Sequence, residues 1–299
     1  MEHAPEIDWA LARRITRLAP GKLPDLDRRD LQRLVAGLRV TARRAGEISA
    51  SALGIDSVGA GTISVVDWTG WGAAVRDMAH AGMSDLGLRR RAPGALRTLR
   101  GVGGGLVAGV GLRIAGPRLI GQYDAYTGSD TLFLLAPTIV NLERAHGFVP
   151  ADFRLWVSLH EQTHALQFRA APWLRDHLVG LGRCVLETED GDDVAGLVAT
   201  MTFLEGHADH TADTAGRARI RTVGQLRRAF HRTPGTLSRI AGVFDKGAQY
   251  RNGLEFCTQV TRKGGRKALR DAFLAPETLP RPDEIADPPA WLRRMRGQA

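Results

Sequence analysis

Cysteine is nearly absent from this 299-residue chain: Cys184 and Cys257 are the two present, far apart and without a CxxC pair. That excludes a thiolate metal site and a disulfide framework, and it suits a reducing, cytoplasmic setting. Long apolar runs are missing as well. No segment offers the roughly eighteen uninterrupted apolar residues of a membrane span. The amino terminus, Met1-Glu2-His3-Ala4-Pro5-Glu6, lacks the basic-then-apolar pattern of a secretion signal. Aromatics are sparse, with three tyrosines and nine phenylalanines. The net charge of +9 invites a nucleic-acid reading, yet the arginines come as scattered pairs such as Arg13-Arg14, Arg43-Arg44, Arg227-Arg228 and Arg293-Arg294. No interleaved aromatics form a single-strand platform. Neither a nucleic acid nor a membrane is expected as a partner.

What remains is an ordinary globular balance, 43% apolar and 24% charged, with length enough for a substantial core. Residues 7–50 carry helical periodicity through Trp9, Leu11, Ile15 and Leu18. A break falls at Pro20-Gly21, and a second run follows through Leu31, Leu34, Leu38 and Val40. The segment 66–92 predicts another helix with Asp67 or Thr69 as its cap. Between Pro93 and Leu119 glycine is dense, but neither GxxxxGK[ST] nor a strand-led GxGxxG occurs, so the stretch predicts a closely packed helix or helix pair rather than a phosphate loop. Thr131-Leu132-Phe133-Leu134-Leu135 is the strand candidate, and helical patterns dominate from about 152 to 275. The tail from Pro276 to Pro289 is proline-rich and predicts an extended wrap ending near Trp291. This divides the chain into an N-terminal helical region, 1–98, and a metal-binding region, 99–299, with the tail, the two forming one compact unit.

The chemistry-bearing feature is His160-Glu161-Gln162-Thr163-His164. On a helix, positions four apart share a face, so both imidazoles can reach one Zn²⁺ at about 2.0–2.1 Å. Glu161 then stands beside the metal, where a general base takes a proton from zinc-bound water. Asp152 is a candidate cap for this helix, and Phe153, Trp156, Val157, Leu159, Leu166 and Phe168 supply a wide apolar face. So short a pattern also arises by chance, and a third ligand is the test. Phe203-Leu204-Glu205-Gly206-His207-Ala208-Asp209-His210 offers Glu205, with Asp209 one turn later able to accept a ligand imidazole N–H. Gly206 suits a helix that approaches the HExxH helix closely. His207 and His210 compete as third ligands. The metzincin spacing fails, since it would need a histidine where Ala170 stands. For oxyanion stabilisation the candidates are Tyr250 and Arg251, His207 or His210, and Tyr123 or Tyr126.

The sequence resembles the actinobacterial zincin-like metallohydrolases, a family whose activity is inferred from its motif and which is sometimes labelled as associated with biosynthesis of a deazaflavin coenzyme. The likeness runs through Val65-Val66-Asp67 with Trp71, Gly121-Gln122-Tyr123-Asp124, Ala136-Pro137-Thr138-Ile139-Val140 and Asp152-Phe153-Arg154-Leu155-Trp156-Val157. It continues through the HExxH segment, Pro172-Trp173-Leu174-Arg175, Leu204 to Asp209, Gln249-Tyr250-Arg251-Asn252-Gly253 and Pro276-Glu277-Thr278-Leu279-Pro280. The resemblance implies a mainly helical α+β zincin-like fold, the HExxH helix packed on a glutamate-bearing helix, with a small sheet at most. It carries the ligand roles onto His160 and His164, the base onto Glu161, and favours Glu205 as third ligand. Gln162 departs from the family's frequent acidic residue at that place.

Two expectations follow. The first is a zinc-dependent hydrolase, a metallopeptidase acting on a peptide or protein, in which His207 or Tyr250 assists Glu161. The second is a non-catalytic zincin-fold binding protein whose metal site is structural or vestigial.

Overall fold

The structure, a computed structural model, describes residues 4–17, 24–87, 94–116, 119–188, 191–231 and 247–297. At positions 95, 186–188, 191, 230–231 and 247–251 it describes the backbone alone. The chain folds as two compact units, one of Met1–Val40 with Thr62–Phe148 and one of Thr41–Gly61 with Val149–Ala299.

In the first unit, α1 (Trp9–Arg17) starts where Asp8 Oδ1 accepts the Leu11 N–H at 3.0 Å. The long helix α2 (Arg28–Leu53) begins in this unit and ends in the other. Strand β1 (Thr62–Val66), rich in β-branched residues, leads into α3 (Trp68–Asp85), whose cap is Asp67, accepting from the Gly70 N–H at 2.7 Å. The glycine-dense stretch forms α4 (Ala95–Ala115). A Cβ on Gly104 would lie 1.9 Å from the Glu6 carbonyl oxygen, and one on Gly109 would strike Ala12 and Ile15 of α1, so the glycines let two helices approach closely. Strands β2 (Gly121–Tyr123) and β3 (Thr131–Leu135) complete a sheet of order β1-β3-β2, parallel between β1 and β3 and antiparallel between β2 and β3. The β2–β3 loop is organised by buried Asp124, which accepts from the Tyr126 and Thr127 backbones and from Ser129 Oγ. α5 (Ala136–His146) follows β3 directly, with Pro137 in its first turn.

The second unit is helical: α6 (Pro150–Ala170), α7 (Leu174–Thr188), α8 (Gly191–Gly216), α9 (Val223–His231), α10 (Gly247–Asp271, kinked at Gly265), α11 (Pro282–Ala286) and α12 (Pro288–Gly297). α8 packs against α6, α7 and α10, and Phe203, Phe256, Val260, Leu269 and Trp291 fill the core around it. The fold is therefore mainly α with a small sheet, as the sequence predicts. Among the described residues no helix is long and apolar enough to cross a membrane.

Three local expectations are corrected. Asp152 does not cap α6. The cap position is Val149, without a side-chain bond, and Asp152 Oδ2 instead accepts from the Thr222 backbone at 2.9 Å and hydroxyl at 2.7 Å. The tail is not an extended wrap: Pro276 opens a 3₁₀ turn (Pro276–Thr278), and Pro282 and Pro288 open α11 and α12. A ring that fixes φ and lacks an N–H suits the first turn of a helix, so clustered prolines there start helices rather than prevent them. The close approach at Gly206 is made with α10, not α6. A Cβ on Gly206 would lie 2.1 Å from the Gly253 carbonyl carbon, and one on Gly253 would lie 2.2 Å from the Thr202 carbonyl oxygen. Gly253→Ala should therefore force α8 and α10 apart and lower stability by about 1–3 kcal/mol, measured by urea unfolding. An unchanged midpoint would show that the crossing tolerates a methyl group.

Candidate metal centre

α6 places His160 and His164 one turn apart, and α8 brings Glu205 against both. His160 Nε2 and His164 Nε2 are 3.3 Å apart, and they stand 3.5 and 3.6 Å from Glu205 Oε2 and Oε1 respectively. What makes these contacts informative is where the protons sit. His160 Nδ1 meets Asp209 Oδ1 at 2.9 Å, and a carboxylate there makes Nδ1 the protonated nitrogen. His164 Nδ1 meets Gln167 Oε1 at 2.9 Å. The orientation of that amide is fixed because Gln167 Nε2 donates to the Leu204 carbonyl at 2.8 Å, so its oxygen faces the imidazole and His164 Nδ1 also carries the proton. Both Nε2 atoms are then bare lone pairs, converging with a carboxylate. The set holds acceptors and no donor, and acceptors at this spacing repel unless a cation or proton joins them.

The dimensions fit a metal. Two ligands at about 2.1 Å from a tetrahedral zinc are about 3.4 Å apart; the imidazole nitrogens are 3.3 Å apart, and they lie 3.5 and 3.6 Å from the two different oxygens of Glu205. Without a cation, a proton takes its place: burial would lower the His160 pKa, but its hydrogen bonds to Asp209 and Glu205 prevail and hold it well above the usual histidine value. Burial would raise the Glu205 carboxyl, but the His164 and His160 rings prevail and hold it below its ordinary value. The side chains of His160, His164 and Glu205 retain 15, 17 and 22% of their surface, so the converging atoms are reachable from solvent.

Glu161 is buried, and burial raises its carboxyl against the opposing effect of His160 and His164. Among the described residues it has no hydrogen-bond partner. Gln162 points the other way and ties α6 to the segment before β1: Oε1 accepts from the Ala60 N–H at 2.8 Å and Nε2 donates to the Ala42 carbonyl at 2.9 Å.

The other predicted residues have different surroundings. His207 is buried between Phe203 and Phe273, and its Nδ1 accepts from Gln167 Nε2 at 3.1 Å. Burial is the main cause that lowers its pKa to about 3. His210 faces α10, with Nε2 3.1 Å from Thr261 Oγ1. Neither histidine joins the cluster of ligand atoms, which is His160, His164 and Glu205 among the described residues. The side chains of Tyr250 and Arg251 lie outside the described residues. Tyr123 and Tyr126 belong to the first unit, where the Tyr123 hydroxyl donates to Asp130 Oδ1 at 3.0 Å. A cavity of about 110 Å³ lined by Leu53, Ile55, Ala170 and Phe273 touches Gln167 and His207 but none of the cluster residues.

Gln167 is the residue that sequence reasoning missed. It holds a candidate ligand, the backbone of the facing helix and His207 at once. Its signal was the spacing alone, three residues after His164 on the same face. Gln167→Ala should weaken zinc affinity by about 10–100-fold in competition with a chromophoric chelator. An unchanged affinity would show that Gln167 does not orient His164. The raised His160 pKa gives a second expectation: below that pKa a proton must leave before a cation binds, so zinc affinity falls as pH falls through it. Calorimetry at neutral pH in buffers of different ionisation enthalpy should show about one proton released per zinc bound. Release of none would contradict the protonated His160.

The profile of the zincin-like metallopeptidase family matches residues 7–188 and 180–292 of the chain. Among solved structures, the chain is similar to a candidate hydrolase with a novel fold from Chloroflexus aurantiacus, at 25% identity and a TM-score of 0.77 over 97% of this chain and 99% of that one. A comparison with curated proteins gives no match.

Proposed function

The chain belongs to the zincin-like metallopeptidase family, and from that premise we propose that it is a zinc-dependent hydrolase that cleaves a peptide bond in a peptide or protein. In this reading His160, His164 and Glu205 hold the metal, Asp209 orients His160, and Glu161 is the general base. The observation that carries it is the convergence of two bare imidazole nitrogens and a carboxylate, each imidazole with its other nitrogen already committed as a donor. A zinc ion held there would supply a Lewis acid that polarises a carbonyl oxygen and lowers the pKa of a water. Three protein ligands leave a coordination position open, whereas a structural site closes with a fourth, and no fourth joins the group among the described residues. That favours catalysis over a non-catalytic binding role.

Glu161 takes the proton of the attacking water and returns it to the departing amine. Burial suits it to both steps, because it brings the carboxyl nearer neutrality, where it gives a proton back as readily as it takes one. His207 acts through Gln167 and His164 as a positioning residue, and Tyr250 is retained as the group that steadies the oxyanion. Cys184 and Cys257 form no disulfide, which agrees with a cytoplasmic setting. The actinobacterial and deazaflavin associations stay with the resemblance alone.

Two variants separate binding from chemistry. Glu205→Ala should lose most bound zinc by elemental analysis, and undiminished zinc would remove it as a ligand. Glu161→Gln should keep zinc and lose about 10²-fold or more of the hydrolysis of a fluorogenic peptide library. Full activity in that variant would end the general-base assignment.

A further inference from the structure

α4 is an inverted helix. Gly109 packs on α1 and Gly104 and Gly105 pack on the residues that lead into it, while Leu96, Leu99, Leu106, Val107, Val110 and Ile114 are 41–74% exposed. At 3.6 residues per turn these positions share one arc, an aliphatic strip about 27 Å long from Leu96 to Ile114. Single exposed aliphatics are commonplace, but six on one arc, broken only around Gly103, mark a contact surface.

The charges around it name the occupant. Neither α1 (WALARRITR) nor α4 (ALRTLRGVGGGLVAGVGLRIA) contains a carboxylate. Together they carry Arg13, Arg14, Arg17, Arg97, Arg100 and Arg113, of which Arg97 pairs with Glu6 outside both helices. The other five are exposed. In sequence, Arg89-Arg90-Arg91 also lies just before α4. By helical position Arg100 and Arg113 flank the strip on its two sides, and an apolar strip flanked by cations matches the boundary between anionic headgroups and acyl chains. A second copy matches poorly, because pairing α4 with itself would gather arginines with no carboxylate on either helix to meet them. Since no described helix is long and apolar enough to span a bilayer, the helix would lie on the surface.

Against the expectation from the sequence that no membrane is a partner, we propose that α4, backed by α1, is an interfacial helix that docks the chain on an anionic lipid surface. The proposal is independent of the peptidase reading, because the metal cluster lies in the other unit and no step of catalysis enters it.

The test is sedimentation of the full chain with vesicles of equal parts phosphatidylglycerol and phosphatidylcholine, and with vesicles of phosphatidylcholine alone. Anionic vesicles should bind at least about tenfold more tightly, and salt should weaken that binding. L99E/V107E should lower it about tenfold or more with an unchanged thermal melt, because both side chains are exposed and leave the core intact. R100Q/R113Q should reduce binding to anionic vesicles and leave binding to neutral ones unchanged. Equal binding to both vesicle types, no binding to anionic vesicles, or full binding by L99E/V107E would overturn the proposal. So would a concentration-dependent dimer, seen by light scattering and lost in L99E/V107E, without vesicle binding.

Discussion

The second unit depends on two N–H donations made behind the His160–His164–Glu205 group. His160 gives its Nδ1 proton to Asp209, and His164 gives its own to Gln167. Each donation fixes a tautomer, and the tautomers decide that two lone pairs face Glu205. The first donation joins α6 to Asp209 of α8 directly, and Gln167 joins the helices through its own Nε2, which donates to the Leu204 carbonyl of α8. Ligand orientation and helix pairing are thus one network, so a change that loosens α6 from α8 also disturbs the chemistry.

The network needs α8 held at a fixed height against α6, and backbone contacts hold it. Gly206 and Gly253 bring α8 and α10 to near backbone contact, which leaves α8 little room to slide or rotate. On the other side Gln162 anchors α6. A Cβ on Gly46 would lie 2.2 Å from the Val58 carbonyl oxygen, and one on Gly59, at φ +82°, would lie 2.2 Å from Gln162 Oε1. Glycine at both places lets the segment before β1 close over the Gln162 amide. An acidic residue there could accept from Ala60 but, when ionised, could not donate to the Ala42 carbonyl. Gln162, where the resemblance often places an acidic residue, therefore has a structural role that the motif alone does not reveal.

How much was legible in the sequence follows from how local each signal is. His160 with His164 and Glu205 with Asp209 are i, i+4 pairs, and helical periodicity alone aligns each pair on one face. Asp67 as a cap and Thr131–Leu135 as a strand are equally local, and both form as the sequence predicts. Gln167 was not legible, because a glutamine on a helix carries no chemical mark until its partners on the facing helix are known. Gly206 signalled a close approach but could not say to which helix. Strand β2, three residues, was too short to stand out, and β1, as long as β3 but with polar Thr62 and Ser64 among five residues, lacked its apolar run; pairing with β3 is what makes both of them strands. In the tail, proline content alone points to extension, although the same residues at first-turn positions begin helices.

The segments that carry the family resemblance divide by what they do. Trp68 Nε1 donates to Thr138 Oγ1 and Trp71 Nε1 to Gln122 Oε1, so the stretches around Asp67, Gln122 and Pro137 knit the first unit together. Gly253 sits at a helix crossing, and Thr278 is locked under Trp291, whose Nε1 donates to its carbonyl. Among the described residues, most of the shared stretches are therefore architecture, and the residues that converge as acceptors come from two helices alone. Resemblance over the whole chain is strong support for the fold. It reaches chemistry only through the few side chains of α6 and α8 that meet at the cluster, and the protonation pattern there, rather than the length of the likeness, is what calls for a cation.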